Sequence, residues 1–98
     1  MDFSRRVYDL CRRIPKGKVT TYKIIAEKLG TKAYRAVGNA LNKNPHKDVP
    51  CHRVVDRNGR LAPNFGFGGA IEQKRRLESE NVTFIDDSHV DLKACLDL

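Results

Sequence analysis

Two short helical patterns on either side of Gly30-Thr31 limit most strongly what this chain can fold into. In the first, Tyr22, Ile25, Ala26 and Leu29 recur at i, i+3, i+4 and i+7, with Thr20 or Thr21 as the cap. In the second, over about 32–43, Ala33, Ala36, Val37, Ala40 and Leu41 share one face, while Lys32, Arg35, Asn39 and Asn42 fall on the other. Gly30 stops the first helix and Thr31 can cap the next, which leaves a three-residue turn between them. Small residues on the buried face allow close packing, and the Arg and Asn side chains opposite suit nucleic acid, as a helix-turn-helix requires. An ordinary solvated helix face would give the same pattern.

The remaining elements fit around that unit. Phe3, Val7, Leu10, Cys11 and Ile14 repeat at helical spacing until Pro15-Lys16-Gly17 ends the run, which places Cys11 on an apolar stripe as a core residue. Asp56-Arg57-Asn58-Gly59-Arg60-Leu61 follows the β-branched Val54-Val55, and Asn-Gly there signals a hairpin turn, the wing of a winged helix-turn-helix. Four Gly or Pro residues among Ala62–Gly69 preclude regular structure and let backbone approach a ligand, a candidate binding loop. Residues 70–81 return to a helix with Lys74, Arg75 and Arg76 on its surface, and Val82–Ile85 reads as a short extended piece. Ser88-His89-Val90-Asp91 has the form of a capping box opening a last helix with Leu92, Cys95 and Leu96 as its apolar side. Ninety-eight residues make one domain, 1–98. The fold class expected is mainly α, a winged helix-turn-helix-like single domain with a short β hairpin wing.

Charge is unevenly placed. Residues 1–60 carry 15 Lys/Arg against 5 Asp/Glu, a net +10, and residues 61–98 carry 4 against 7, a net −3. A basic first half suggests a polyanionic partner, although charge alone marks only solubility. It gains weight because the same residues hold the DNA-binding pattern. With no apolar targeting core at the start and no run long enough to span a bilayer, an intracellular, cytoplasmic chain without a membrane partner is expected. Cys11, Cys51 and Cys95 are odd in number and widely spaced, with no second His set for zinc, which points to reduced thiols and neither metal nor cofactor.

The chemistry concentrates in Pro50-Cys51-His52-Arg53-Val54-Val55. A thiol attacks only as thiolate, and adjacent His and Arg in a rigid turn are surroundings that lower a cysteine pKa. A bare Cys-His pair means little, since neighbours on an extended backbone point apart. Its flanks mean more. Asn44-Pro45, the run Pro50–Val55 and Tyr34-Arg35-Ala36-Val37-Gly38-Asn39-Ala40-Leu41 together resemble the DNA-binding domain of the O6-alkylguanine-DNA alkyltransferases over roughly residues 3–82, leaving 83–98 as a tail.

That resemblance implies a single-turnover repair reaction on duplex DNA by a monomer, nucleoid-associated in a prokaryote. A guanine carrying an O6-alkyl group is flipped into a pocket and its alkyl group passes irreversibly to Cys51. His52 takes the thiol proton through a water, and Glu80 orients His52. By itself Glu80 also reads as a solvated helix-end carboxylate. The resemblance further implies that Asn44 braces the active-site turn, Tyr22 helps rotate the nucleotide phosphate, and Arg35 enters the stack where the base has left, with Ala36, Asn39 and Arg53 also on DNA and the recognition helix in the minor groove. Pro50, Val54, Val55, Phe65, Phe67 and Gly68 would form the substrate pocket.

Two departures stand out. The additional N-terminal domain of larger members is not in this sequence, and the pocket loop Asn64–Gly69 offers no hydroxyl, so base binding would rest on backbone groups and on stacking with Phe65 or Phe67. Two competing readings follow. Alkyltransferase-like proteins hold alkylated guanine and recruit repair factors without transfer, with the motif cysteine replaced, commonly by Trp or Ala; Cys51 favours transfer. A winged-helix transcription regulator would leave the Pro-Cys-His-Arg cluster and the Gly/Phe loop unexplained.

Overall fold

The computed structural model describes residues 2–63, 65 and 68–97. Its elements are α1 (Phe3–Cys11), β1 (Thr20–Thr21), α2 (Tyr22–Lys28), α3 (Tyr34–Asn42), a 3-10 turn (Cys51–Arg53), β2 (Val54–Val55), α4 (Gly69–Ser79), β3 (Phe84–Asp86), β4 (His89–Val90) and α5 (Leu92–Cys95). Helices dominate, as the periodicity predicts. Asp2 caps α1 through a bond from the Arg5 amide, and Thr21 caps α2 by accepting from Ile24 N–H, so each helix starts where a side-chain oxygen meets an orphan donor.

Apolar residues separate into two clusters. Val7, Tyr8, Cys11, Ile14, Ile25, Ala26, Val37, Ala40 and Leu41 join α1, α2 and α3, with Cys51, Val54 and Phe65 at one side. Val19, Val55, Leu61, Leu77, Val82, Val90 and Cys95 make the second. Consecutive strand residues face opposite ways, which is why Val54 enters the first cluster and Val55 the second.

Three expectations are corrected. The turn at Asn58-Gly59 forms, with Gly59 N–H on the Asp56 carbonyl and Asp56 N–H on that of Arg60. However, Val54-Val55 does not fold back as a hairpin: it pairs in parallel with Thr20-Thr21, and Arg60 instead bridges His89. Both valines are buried, and only a strand inserted between the two clusters can hide both faces. The antiparallel hairpin is Phe84–Val90. Second, α3 starts at Tyr34 and five residues separate it from α2. Gly30 takes φ +76° and Thr31 Oγ1 accepts the Ala33 amide, so Thr31 to Ala33 turn before the helix begins and Ala33 is left exposed. Third, the last helix does not open at Ser88. The Asp86 carboxylate takes the Ser88 amide and the His89 ring, which fixes a tight turn and puts His89 in β4; Asp91 alone caps the four-residue α5. Leu96, beyond that helix, is largely exposed and bridges Val19.

That second cluster depends on residues 84–97. Val19 N–H donates to the Cys95 carbonyl, Asp97 N–H to that of Val19, and Val90 N–H to that of Gly59. Gly59 has φ +86°, and a Cβ there would stand 2.6 Å from the Val90 carbonyl oxygen, so glycine is required on both counts. Among the described residues no helix is long and apolar enough to cross a membrane.

Candidate functional site

Pro50 leads into the 3-10 turn, which buries Cys51 to 7 % exposure and turns the next two side chains toward the end of α4. There Glu80 ends the helix. Asn81 adopts φ +65°, its N–H reaches the Glu78 carbonyl, and Val82 N–H reaches that of Leu77, the bonding of a Schellman cap with Leu77 and Val82 in apolar contact range of one cluster. This cap points Glu80 back at the turn.

Glu80 accepts three bonds on two oxygens. Arg53 Nε donates to Oε1 at 2.9 Å and Nη2 to Oε2 at 2.8 Å, and His52 Nε2 lies 2.9 Å from Oε2. Arg53 Nη1 also donates to the Ile14 carbonyl at 2.8 Å. Burial alone would raise the Glu80 carboxyl; the bonds from Arg53 and His52 overcome it and hold it at about 2. Burial pushes His52 below its ordinary value, against the pull of Glu80, so the imidazole is neutral at pH 7. An ionised carboxylate can only accept, hence Nε2 carries the proton and Nδ1 is left as the basic nitrogen. The contact is a neutral imidazole donating to a carboxylate.

The thiol corrects another expectation. Burial raises the Cys51 pKa, opposed by the Asn44 side chain, by the Cys51 and His52 amides and by the charge of Arg76. Resting Cys51 is therefore a protonated thiol, and a base is needed to ionise it. Arg53 is committed to Glu80 and Ile14, with its side chain only 12 % exposed. Cys11 shares the apolar cluster of Cys51, its thiol pushed up to about 12 by burial.

Asn44 is buried and holds the approach to the turn, accepting His46 N–H and donating to the His46 carbonyl, each at 2.9 Å. Tyr8 secures the same segment, its hydroxyl on the Ala40 carbonyl at 2.8 Å and its ring edge-to-face with His46. Sequence reasoning missed Gln73. Wholly buried on α4, it donates to the carbonyls of His52 (3.1 Å) and Val54 (3.0 Å) and accepts the Ala62 amide at 2.7 Å, linking turn, strand and loop. Its signal was positional: Ala70, Gln73 and Leu77 lie on one helical face, whereas Ile71, the apolar residue nearby, is 86 % exposed.

Of the other pocket residues, Pro50 is half-buried, Val54 lies in the cluster of Cys51, and Val55 is sealed in the second cluster. Phe65 is buried with the Arg76 guanidinium 5.4 Å from its ring centre, and Gly68 is exposed at φ +128° before α4. Phe67 lies outside the described residues. On α3 Arg35 and Asn39 are exposed and Ala36 is half-buried. Tyr22, half-buried at the start of α2, has its phenol pushed up to about 12 by burial and then by Asp56, so it is a donor at neutral pH. Tyr22, Tyr34, Lys23, Lys32, Arg57 and Asn58 help to line a groove of about 530 Å³ beside α3. Among the described residues no group of three His, Cys, Asp or Glu side chains could hold a metal ion.

Comparison with known proteins gives a consistent result. The family described as the 6-O-methylguanine DNA methyltransferase DNA-binding domain matches residues 2–82. A methylated-DNA–protein-cysteine methyltransferase of Sulfolobus acidocaldarius is 49 % identical over 77 residues, 78 % of this chain and 46 % of the relative. The chain thus spans about half the length of that relative. Alkyltransferase-like protein 1 of Schizosaccharomyces pombe is 39 % identical over 89 residues, 89 % of this chain and 82 % of its own. Among solved structures, the S. pombe alkyltransferase-like protein in complex with damaged DNA containing O6-carboxymethylguanine superposes with TM-score 0.82 at 33 % identity, covering 98 % of this chain and 95 % of that one. The O6-methylguanine methyltransferase of Mycobacterium tuberculosis gives 0.70 at 38 %, covering 82 % and 48 %.

Proposed function

The chain belongs to the family of 6-O-methylguanine DNA methyltransferase DNA-binding domains, and on that premise we propose that it binds duplex DNA containing O6-alkylguanine and takes the alkyl group onto Cys51. The observation that carries this reading is the set Cys51, His52 and Glu80, a buried thiol followed by a neutral imidazole whose far nitrogen is bonded to an ionised carboxylate. His52 Nδ1 receives the thiol proton through a water. The thiolate sulfur then attacks the alkyl carbon, an S–C bond forms as the C–O6 bond breaks, and the electron pair of that bond leaves with guanine, which takes up a proton. No step regenerates the thiol, so each molecule acts once. Arg35 and Asn39 on the exposed face of α3, with the donor Tyr22, would engage the duplex while the base is extruded.

A second reading is supported by the likeness to the S. pombe alkyltransferase-like protein, solved in complex with damaged DNA: the base is held and nothing is transferred. Intact-mass spectrometry after incubation with duplex DNA containing O6-methylguanine separates the two. A methylene added to the protein, mapped to Cys51, supports transfer. Binding with no mass change would assign the protein to recognition alone.

A further inference from the structure

Arg53, the cation next to Cys51 in sequence, is fully engaged by Glu80 and the Ile14 carbonyl. A second cation reaches the thiol's surroundings from α4. Arg76 lines a cleft of about 420 Å³ with Val49, Pro50 and His52. Its guanidinium stands 5.4 Å from the centre of the Phe65 ring, and its Nε donates to Glu72 Oε2 at 2.8 Å. Pro50 and His52 flank Cys51 in the chain and Phe65 shares its apolar cluster, so Arg76 lies among the residues that surround the thiol. The geometry points to Arg76 as the positioning residue that stabilises the thiolate of Cys51, the part that the sequence pattern gives to Arg53.

The surrounding ionisable groups agree. Cys11 of α1 and Tyr22 of α2 both titrate near 12 and are neutral at pH 7. Glu80 is balanced by Arg53, and His52 is neutral. Glu72 stays ionised, at about 2, and fixes Arg76 from the preceding turn of α4, where Arg75 shares its charge. Arg76, though paired with Glu72, is the cation whose charge acts on the thiol. Its charge lowers the Cys51 pKa and disfavours a proton on His52, so it promotes both the nucleophile and the free base.

The purpose of this arrangement rests on the transfer reading, but thiol ionisation is measurable without DNA. The test is the rate of Cys51 carbamidomethylation by iodoacetamide from about pH 6 to 11, resolved from Cys11 and Cys95 by peptide mapping, in wild type, Arg76→Gln, Arg76→Met and Arg76→Lys. Loss of the charge should move the midpoint to higher pH and slow the reaction at pH 7 by roughly threefold to tenfold, with Arg76→Lys recovering most of it. Arg76→Met keeps an apolar stem on Phe65 and carries the test should the Gln variant not fold. Profiles that superimpose on wild type in the charge-removing variants, or a Lys variant no different from Met, overturn the inference. A shifted midpoint in a protein that transfers no alkyl group would sink the transfer reading and leave Arg76's role standing.

Discussion

Glu80 ties three donors together, and its depressed pKa makes the cluster a source of stability with a defined pH dependence. A carboxyl held at about 2 in the folded chain, against an ordinary 4.5, stabilises the fold fully above 4.5 and loses that contribution as pH falls toward 2. Glu80→Gln should therefore destabilise by about 2–4 kcal/mol at pH 7, because it leaves Arg53 buried without its counterion. The gap from wild type should narrow between pH 4.5 and 2, where the native carboxylate protonates. Urea unfolding at pH 7 and near pH 3 checks this, and a gap independent of pH would refute it. The variant should also slow reaction at Cys51 without abolishing it, since His52 loses its orienting acceptor. Arg35 is exposed on α3, and on the proposed function it would enter the stack vacated by the base. Arg35→Ala should cost about 1–3 kcal/mol in the reaction with duplex and little with the free modified base. Equal losses on the two substrates would place Arg35 in folding or in the pocket instead.

At the scale of elements, α4 acts through what it presents at two points. Its middle presents Gln73 to the turn, to β2 and to the loop at Ala62; its end presents Glu80 through the Schellman cap. Gln73→Leu keeps the bulk but orphans two carbonyls and an amide in a buried site, each an unfavourable desolvation. A loss of about 2–4 kcal/mol by thermal unfolding is expected, along with slower alkylation of Cys51, since the carbonyl of His52 is one of the orphaned groups. A loss under about 0.5 kcal/mol would mean that the amide anchors nothing. The Asn58-Gly59 turn shows how sequence signals mark a turn without naming its partner: the local bonds close as expected, yet the chain leaving it pairs with β4.

For the whole molecule, the family match ends at residue 82, whereas the second apolar cluster does not close without Val90 and Cys95. A chain ending at 82 should expose Val19, Val55, Leu61 and Leu77 and lose its sharp denaturant transition. An unchanged midpoint and slope in the truncated chain would show the tail to be dispensable. The net +10 of residues 1–60 predicts a mainly electrostatic affinity for duplex DNA, with log affinity falling linearly with log salt by about 0.9 per phosphate neutralised. A flat salt response would rule that out.

The sequence by itself determined the local and the chemical. Helices α1 and α2, a threonine cap at Thr20 or Thr21, the core position of Cys11 and the pairing of His52 with Glu80 were all legible, the first three because helical period and capping are local properties and the last because it came with a resemblance carried by linked motifs. Tertiary structure decided what depends on partners distant in sequence. The parallel pairing of Val54-Val55 with Thr20-Thr21, the burial of Gln73 beneath the turn, the diversion of Arg53 to Glu80 and Ile14, and the raised pKa of Cys51 all follow from contacts between residues far apart in the chain. Neighbours in sequence suggested a thiolate beside a histidine and an arginine, but burial penalises charge whatever the neighbours are, and the depth of Cys51 is set only when the first apolar cluster closes around it.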